Sequence, residues 1–170
     1  AAGLVLAALL SRPEGSPGLG ARNVALERAG VWLDDAQPEN GDDSAALALD
    51  TLVAAADAGG LSDDGEVRRA RLAEELGRAD VAVLALESLI SRNIEVSENA
   101  PRLAAAAERA GDNSTALSAW QLRLGHVSDD IAALTAVERR AAVTGDAGAL
   151  RRSSEELVKR AVGSASERAA

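Results

Sequence analysis

Adjacent aspartates are the residues of this chain whose types most readily suggest chemistry, because paired carboxylates can bind a metal ion or exchange protons. The pairs stand at 34–35, 42–43, 63–64 and 129–130. Neighbouring residues on a helix point in different directions, so such a pair does not converge on one ion, and no calcium loop of the EF-hand type is present. All but the first pair fall where a helix is expected to begin, where carboxylates act as caps. We therefore expect helix caps and no metal site.

Other candidates for catalysis are equally sparse. His126 is the single histidine, in GHVSD, and no serine, cysteine or second histidine is placed to form a nucleophile and base with it. The glycines of EGSPGLG, residues 14–20, lack the lysine and threonine of a phosphate-binding loop and follow no strand. The arginine pairs 139–140 and 151–152 are expected on solvated helix faces. The sequence thus predicts no enzyme and no cofactor.

Charge and composition narrow the classes of partner. The 27 acidic and 18 basic residues give a formal net charge of −9, which disfavours nucleic acid and anionic membrane surfaces. The chain has no cysteine, so disulfides and thiolate metal sites are excluded while the compartment stays open. No apolar run approaches the roughly 18 residues that a membrane span needs, so we expect no membrane insertion.

The apolar residues favour packed helices over strands. They make up 47% of the chain and are dominated by alanine, with Trp32 and Trp120 as the only aromatic residues. Alanine has the highest helix propensity, whereas a sheet core would need more β-branched and aromatic side chains. Trp120 shares one helix face with Ala116, Leu117 and Leu124, so we expect it in the core, and we expect Trp32 to be the more exposed of the two.

Four glycines divide the chain into similar phrases. They are Gly41, Gly77, Gly111 and Gly145, and the phrases read GDDSAALAL, GRADVAVLAL, GDNSTALSAW and GDAGALRRS. A period in the mid-thirties is typical of helix-turn-helix arrays, in which each unit buries its apolar face against its neighbours. A glycine at the turn tolerates the positive φ that a helix end requires.

Apolar spacing predicts one helix on each side of every turn. The helices after the glycines are expected at 42–57, 78–91, 112–125 and 146–162, and those before them at 19–37, 63–76, 99–110 and 129–144. The resulting hairpins are 19–57, 63–91, 99–125 and 129–162. We expect Asp63, Asn99 and Ser128 to begin three of the first helices.

The ends of the chain complete this scheme. Residues 1–11 are expected to form the second helix of a preceding unit, followed by the loop SRPEGSPGLG. Neither end shows the polar capping element with which solenoids normally close. We therefore predict a single repeat domain over 1–170 that belongs to a longer array.

The repeated unit resembles the tetratricopeptide repeat family, in which a small residue lies five positions and an aromatic residue nine positions after the turn glycine. Gly111, Ala116 and Trp120 match all three positions. Two of the three are matched by Gly77 with Ala82 and by Gly41 with Ala46, while Ala149 comes one residue early after Gly145. Seven residues before the glycine, where the family has a small residue, Ala70 and Ala104 agree whereas Asp34 and Glu138 depart.

The resemblance implies an all-α, right-handed solenoid of about four repeats of roughly 34 residues. In the family the first helices line a groove that binds an extended peptide or a helix of a partner protein. Carried over by position, the groove residues are Arg71, Glu74, Glu75, Glu98, Glu108, Arg109, Thr135 and Arg139. We accordingly expect a protein-interaction scaffold within a larger polypeptide.

A second hypothesis also follows from resemblance. Long, degenerate, alanine-rich arrays similar to this one often precede the outer-membrane pore of bacterial exopolysaccharide export systems. In that case the chain would lie in the periplasm and would dock a modifying enzyme or a cationic polysaccharide.

Overall fold

The computed structural model describes residue 24, residues 26–31 and residues 41–169. The expectations for residues 1–11, for the loop SRPEGSPGLG, for Trp32 and for the aspartates 34–35 lie outside these residues. The described part is all-helical, as predicted, and contains no strand. Residues 26–31 are helical, within the helix expected at 19–37. The helices that follow are α1 (Gly41–Gly59), α2 (Asp63–Glu75), α3 (Ala79–Ser91), α4 (Val96–Ala110), α5 (Asn113–His126), α6 (Ile131–Thr144) and α7 (Ala147–Ala169).

The chain divides into two compact units, an N-terminal unit of Ala1–Ala85 and a C-terminal unit of Leu86–Ala170. In the N-terminal unit α1 packs against α2, and in the C-terminal unit each helix from α4 to α7 packs against the next along the chain. The succession of neighbouring contacts is that of a helical array. The expectation of one repeat domain over 1–170 stays a prediction.

Leucine and alanine side chains form most of the cores of both units. The buried large residues include Leu49, Leu52 and Leu72 in the N-terminal unit and Leu103, Leu117 and Leu134 in the C-terminal unit. Alanines fill the positions between them, and most are fully buried. Because alanine lets helix backbones approach closely, the predicted preference for tightly packed helices is confirmed.

Three of the four repeated glycines end a helix in the same way. Gly77, Gly111 and Gly145 have φ of 69°, 79° and 77°, in the left-handed region that glycine adopts without strain. The residue after each glycine donates its N–H to a carbonyl five residues back: Arg78 to Ala73 at 2.8 Å, Asp112 to Ala107 at 2.9 Å and Asp146 to Ala141 at 2.9 Å. This hydrogen bond is the defining bond of a Schellman cap, so the predicted turn is confirmed three times.

Gly41 departs from this arrangement. It is the first residue of α1, whereas at the other three sites the next helix begins two residues after the glycine. Ala46, the expected packing residue, is exposed, and Ala48 and Leu49 are buried in its place. The buried positions that follow Gly41 therefore lie about two residues later than the pattern of the resembled family predicts.

Of the three expected helix starts, Asp63 is confirmed as the first residue of α2, whereas those at Asn99 and Ser128 are wrong. Ser62, not Asp63, caps α2, because its hydroxyl accepts the N–H of Gly65 at 3.1 Å. Asp130, not Ser128, caps α6 by accepting the N–H of Ala133 at 2.9 Å. Asn99 lies within α4, which begins three residues earlier at Val96.

Asn99 is buried rather than exposed at a helix start. Its amide donates to the carbonyl oxygen of Ile94 at 3.1 Å, and its side-chain oxygen accepts from Arg102 at 2.7 Å. Its polar atoms therefore hold the preceding loop onto α4 and do not cap the start of the helix.

Candidate functional site

The groove residues expected in the N-terminal unit lie on α2. Arg71 and Glu75 are exposed and bind each other across one helical turn, with the Arg71 guanidinium 3.1 Å from the Glu75 carboxylate. Arg68 and Asp64 form a second pair of the same kind at 3.1 Å. The half-buried Glu74 lies on the same side of the helix. This face is densely charged, and its charges largely pair with each other along the helix, as expected of a helix surface that faces water.

In the C-terminal unit Glu98, Glu108 and Arg109 lie on α4, and Thr135 and Arg139 lie on α6. The structure joins one of these residues, Glu108, to other helices. Its carboxylate accepts from the Arg140 guanidinium at 2.8 Å and from the Trp120 indole N–H at 3.3 Å. Arg140 in turn donates to the side-chain oxygen of Asn113 at 2.9 Å.

These contacts change the interpretation of Glu108. Only 29% of its side chain and 19% of that of Arg140 are exposed, so the ion pair is partly shielded from water. Glu108 therefore links α4, α5 and α6, and its carboxylate is engaged within the protein. Arg140, expected on a solvated face, is its partner.

Trp120 lies at the edge of the core and is only half-buried. Its ring packs against the buried cluster of Leu117, Val137, Ala141 and Ala149. Its N–H points to Glu108, because a tryptophan near the surface buries its ring and satisfies its single donor. The expectation of a core residue holds for the ring, whereas the polar end is part of the link between helices.

A second link, which the sequence did not suggest, lies at the opposite end of α5. Arg123 donates to the backbone carbonyl of Ser97 at 2.6 Å and to the Asp130 carboxylate at 3.0 Å. It thereby ties the start of α4 to the start of α6. Hydrogen bonds from the Ala133 N–H and from Arg123 hold the pKa of Asp130 below its ordinary value.

Glu98 stands beside this second link, near the start of α4. The Ser97 hydroxyl donates to its carboxylate at 2.6 Å and, with smaller effects of Arg123 and His126, holds the pKa of Glu98 below its ordinary value. Glu98 is exposed and stays ionised at neutral pH. His126 itself is exposed as the last residue of α5, so it ends a helix where a loop was expected.

The exposed face of α6 carries few charged residues. Its members recur at three- and four-residue spacing and therefore share one side of the helix: Ile131, Ala132, Thr135, Arg139, Ala142 and Val143. Ile131 is 59% and Val143 61% exposed. Arg139 is the only charged residue on this face, which we call the α6 face.

Arg139 and Arg109 are both exposed. Within the described residues Arg139 forms no ion pair, and Arg109 donates only to the carbonyl of Ala105 in its own helix, at 3.2 Å. The ion pair of Glu108 with Arg140 joins the two helices that carry these arginines. Neither Arg109 nor Arg139 is neutralised by a described carboxylate.

The α6 face could have been predicted from the sequence, although the positions carried over from the resembled family did not include its aliphatic residues. Between Asp130 and Thr144 the only charged residues are 138–140, and the helix carries apolar residues on more than its buried side. Thr135 and Arg139 were expected at the surface and are exposed. Ile131 and Val143 were missed because they were not assigned to the groove.

Other kinds of site find little support in the described residues. They contain no group of three or more histidine, cysteine, aspartate or glutamate side chains placed to hold a metal ion. Among them, too, no helix has both the length and the apolar character needed to cross a bilayer. The aspartate pairs 42–43, 63–64 and 129–130 lie at helix starts, as expected.

Comparison of the chain with protein-family models and with curated protein sequences gives no match.

Proposed function

We propose that the chain is an interaction scaffold whose C-terminal unit binds a segment of another protein on the α6 face. It would act by binding and not by catalysis. The finer architecture, a right-handed solenoid of about four tetratricopeptide-like repeats of roughly 34 residues, is part of this proposal. The three equivalent turns at Gly77, Gly111 and Gly145 support it.

The observation that carries the proposal is the exposure of two aliphatic side chains on a nearly uncharged helix face. An amphipathic surface helix normally opposes its buried stripe with charged residues. The α2 face follows this rule, whereas the α6 face offers Ile131 and Val143 to solvent with only Arg139 between them. Exposed apolar side chains on a helix face with so little charge favour an interaction site.

The charges of this surface favour a protein over a cationic polysaccharide. Arg139, the charged residue of the α6 face, would repel a cationic polymer, and Glu108 is already neutralised by Arg140. A polypeptide can supply both the apolar side chains and the carboxylate that the surface lacks. The hypothesis of a periplasmic export module stays a prediction from resemblance.

Selection from a random peptide library tests the proposal. Peptides that bind the intact chain would be measured again on the Ile131→Glu/Val143→Glu variant and on a control, Val158→Glu/Val162→Glu. The control residues are the exposed valines of α7, at 62% and 65% exposure, so both variants add the same charges to exposed aliphatic positions. Circular dichroism would establish that both variants fold.

We expect the selected peptides to lose at least about tenfold in affinity on the α6 variant, because carboxylates replace its apolar contacts, and to keep their affinity on the α7 control. Equal binding to the native chain and the α6 variant would refute the α6 face as the docking site. Failure to select any binder would also count against the proposal.

A further inference from the structure

We infer that the occupant of the α6 face is an amphipathic α-helix that carries a carboxylate, and not an extended peptide. This inference rests on the proposed function, because it specifies the partner of the same surface. Three properties of the surface lead to it: its lack of exposed amide side chains, the distance between its apolar side chains, and the position of its charge.

The surface offers little to an extended backbone. A peptide in extended conformation presents N–H and C=O groups that need partners when they are covered. Neither α4 nor α6 carries an exposed asparagine or glutamine, and the one amide side chain, Asn99, is buried and bonded within the unit. The Thr135 hydroxyl already donates to the Ile131 carbonyl at 2.9 Å. A helix satisfies its own backbone and needs none of these groups.

The apolar side chains are spaced for contact with a second helix. Ile131 and Val143 are separated by about 18 Å along the axis, because each residue advances a helix by about 1.5 Å. Ala132 and Ala142, beside them on the same face, are small enough to let a second helix approach. A partner helix of about four turns would cover both aliphatic residues with side chains at three- and four-residue spacing.

The charge gives the partner a direction. Arg139 is eight residues from Ile131 and four from Val143, so it stands about 12 Å from one aliphatic contact and about 6 Å from the other. A glutamate or aspartate of the partner can reach its guanidinium through two hydrogen bonds. Because the arginine is off centre, a helix with one matching carboxylate fits better in one direction than in the reverse.

The inference can be tested with designed peptides of about 18 residues that carry leucines at three- and four-residue spacing and a single glutamate placed off centre to match Arg139. One version is locked as a helix by a side-chain staple, a second has no staple, and a third has proline at two interior positions facing away from the leucines. Binding of each to the full chain would be measured by isothermal titration calorimetry. A fourth peptide, with lysine in place of the glutamate, would be titrated against the native chain and Arg139→Glu.

We expect the stapled peptide to bind most tightly and the proline version to bind at least about a hundredfold more weakly than the unstapled one, since one interior proline disfavours a helix by about 3 kcal/mol. Arg139→Glu should weaken the glutamate peptide by at least about tenfold and strengthen the lysine peptide, whereas Arg152→Glu, an exposed arginine of α7, should change neither.

The inference would be overturned by equal or tighter binding of the proline peptide, by binding of the lysine and glutamate peptides with the same affinity, or by no binding of the stapled peptide. None of these results would by itself refute the proposed function. If library-selected peptides still required Ile131 and Val143, the α6 face would remain a docking site for an occupant of another conformation. Loss of that requirement would refute both.

Discussion

The link between Glu108 and Arg140 makes a prediction that separates a structural role from a binding role. We expect Glu108→Ala to destabilise the protein by about 1–2 kcal/mol. A charge-assisted hydrogen bond contributes roughly 1.5–3 kcal/mol when sheltered, and an ion pair in full contact with water about 0.2–1 kcal/mol. This pair, 2.8 Å apart with 29% and 19% of its side chains exposed, lies between these limits.

The measurement is a double-mutant cycle of Glu108→Ala, Arg140→Ala and the combined variant. Thermal unfolding followed by circular dichroism should show a lower midpoint for each single variant, by about 2–8 °C for Glu108→Ala, given about 2–4 °C per kcal/mol for a chain of this size. The coupling energy should be about 1 kcal/mol. In a Trp32→Phe background the fluorescence of Trp120 should also change, because its N–H loses the Glu108 carboxylate.

A matched cycle on Arg71 and Glu75 provides the control. This pair is 3.1 Å apart, within one helix, and 44% and 54% of its side chains are exposed. Its coupling energy should be no more than about 0.3–0.5 kcal/mol. If the cycle at Glu108 gave no larger value than this control, Glu108 would not be fixed between the helices.

Five further substitutions test local features. Glu95→Gly should raise the free energy of unfolding by about 0.5–1 kcal/mol, and with it the urea midpoint, because Glu95 has a φ of 41°. An unchanged or lower midpoint would contradict the left-handed backbone at this residue. Gly111→Ala should lower the free energy of unfolding by about 1 kcal/mol, because Gly111 has a φ of 79°. Gly125→Ala, inside α5 and equally free of close neighbours, should raise it by up to about 1 kcal/mol. Chemical denaturation must show these opposite signs, or the assignment of the two glycines is wrong. Ala116→Leu, at a fully buried position, should cost roughly 1–3 kcal/mol, and an unchanged melting midpoint would show that this alanine is not at a helix interface. Hydrogen bonds from Ser114 and Thr115 lower the pKa of Asp112 to about 2, so the contribution of Asp112 to stability is present above its ordinary pKa of 3.8 and is lost as the pH falls through about 2. Asp112→Asn should keep the helix cap and reduce this loss of stability in acid. Identical pH profiles of unfolding for the native chain and the variant would refute the assignment.

Features that depend on near neighbours in the sequence could be predicted well. The turns at Gly77, Gly111 and Gly145 require only a left-handed residue and a hydrogen bond across five residues, so spacing and residue type locate them. Helix ends adjoining these turns were predicted within a residue or two. The start of α4 was not, because Asn99 has the residue type of a cap and is used for a buried contact.

Features that depend on distant residues could not be predicted. Glu108 and Arg140 are 32 positions apart, and nothing in either residue's surroundings marks them as partners. The same holds for Arg123 and the Ser97 carbonyl. The α6 face is an intermediate case, because its residues follow from helical spacing but its exposure depends on which side α5 and α7 cover. Family positions gave Thr135 and Arg139 and passed over Ile131 and Val143.

The hydrogen bond that closes each of the three equivalent turns joins two backbone groups, those of Ala73 and Arg78 in the first case. Side chains take no part in it, so the path of the chain through a turn requires a glycine and little else. Most positions of a unit can then change in evolution while the next helix still leaves in the same direction. Two hairpins built on the same turn can therefore carry surfaces as different as the charged face of α2 and the apolar face of α6.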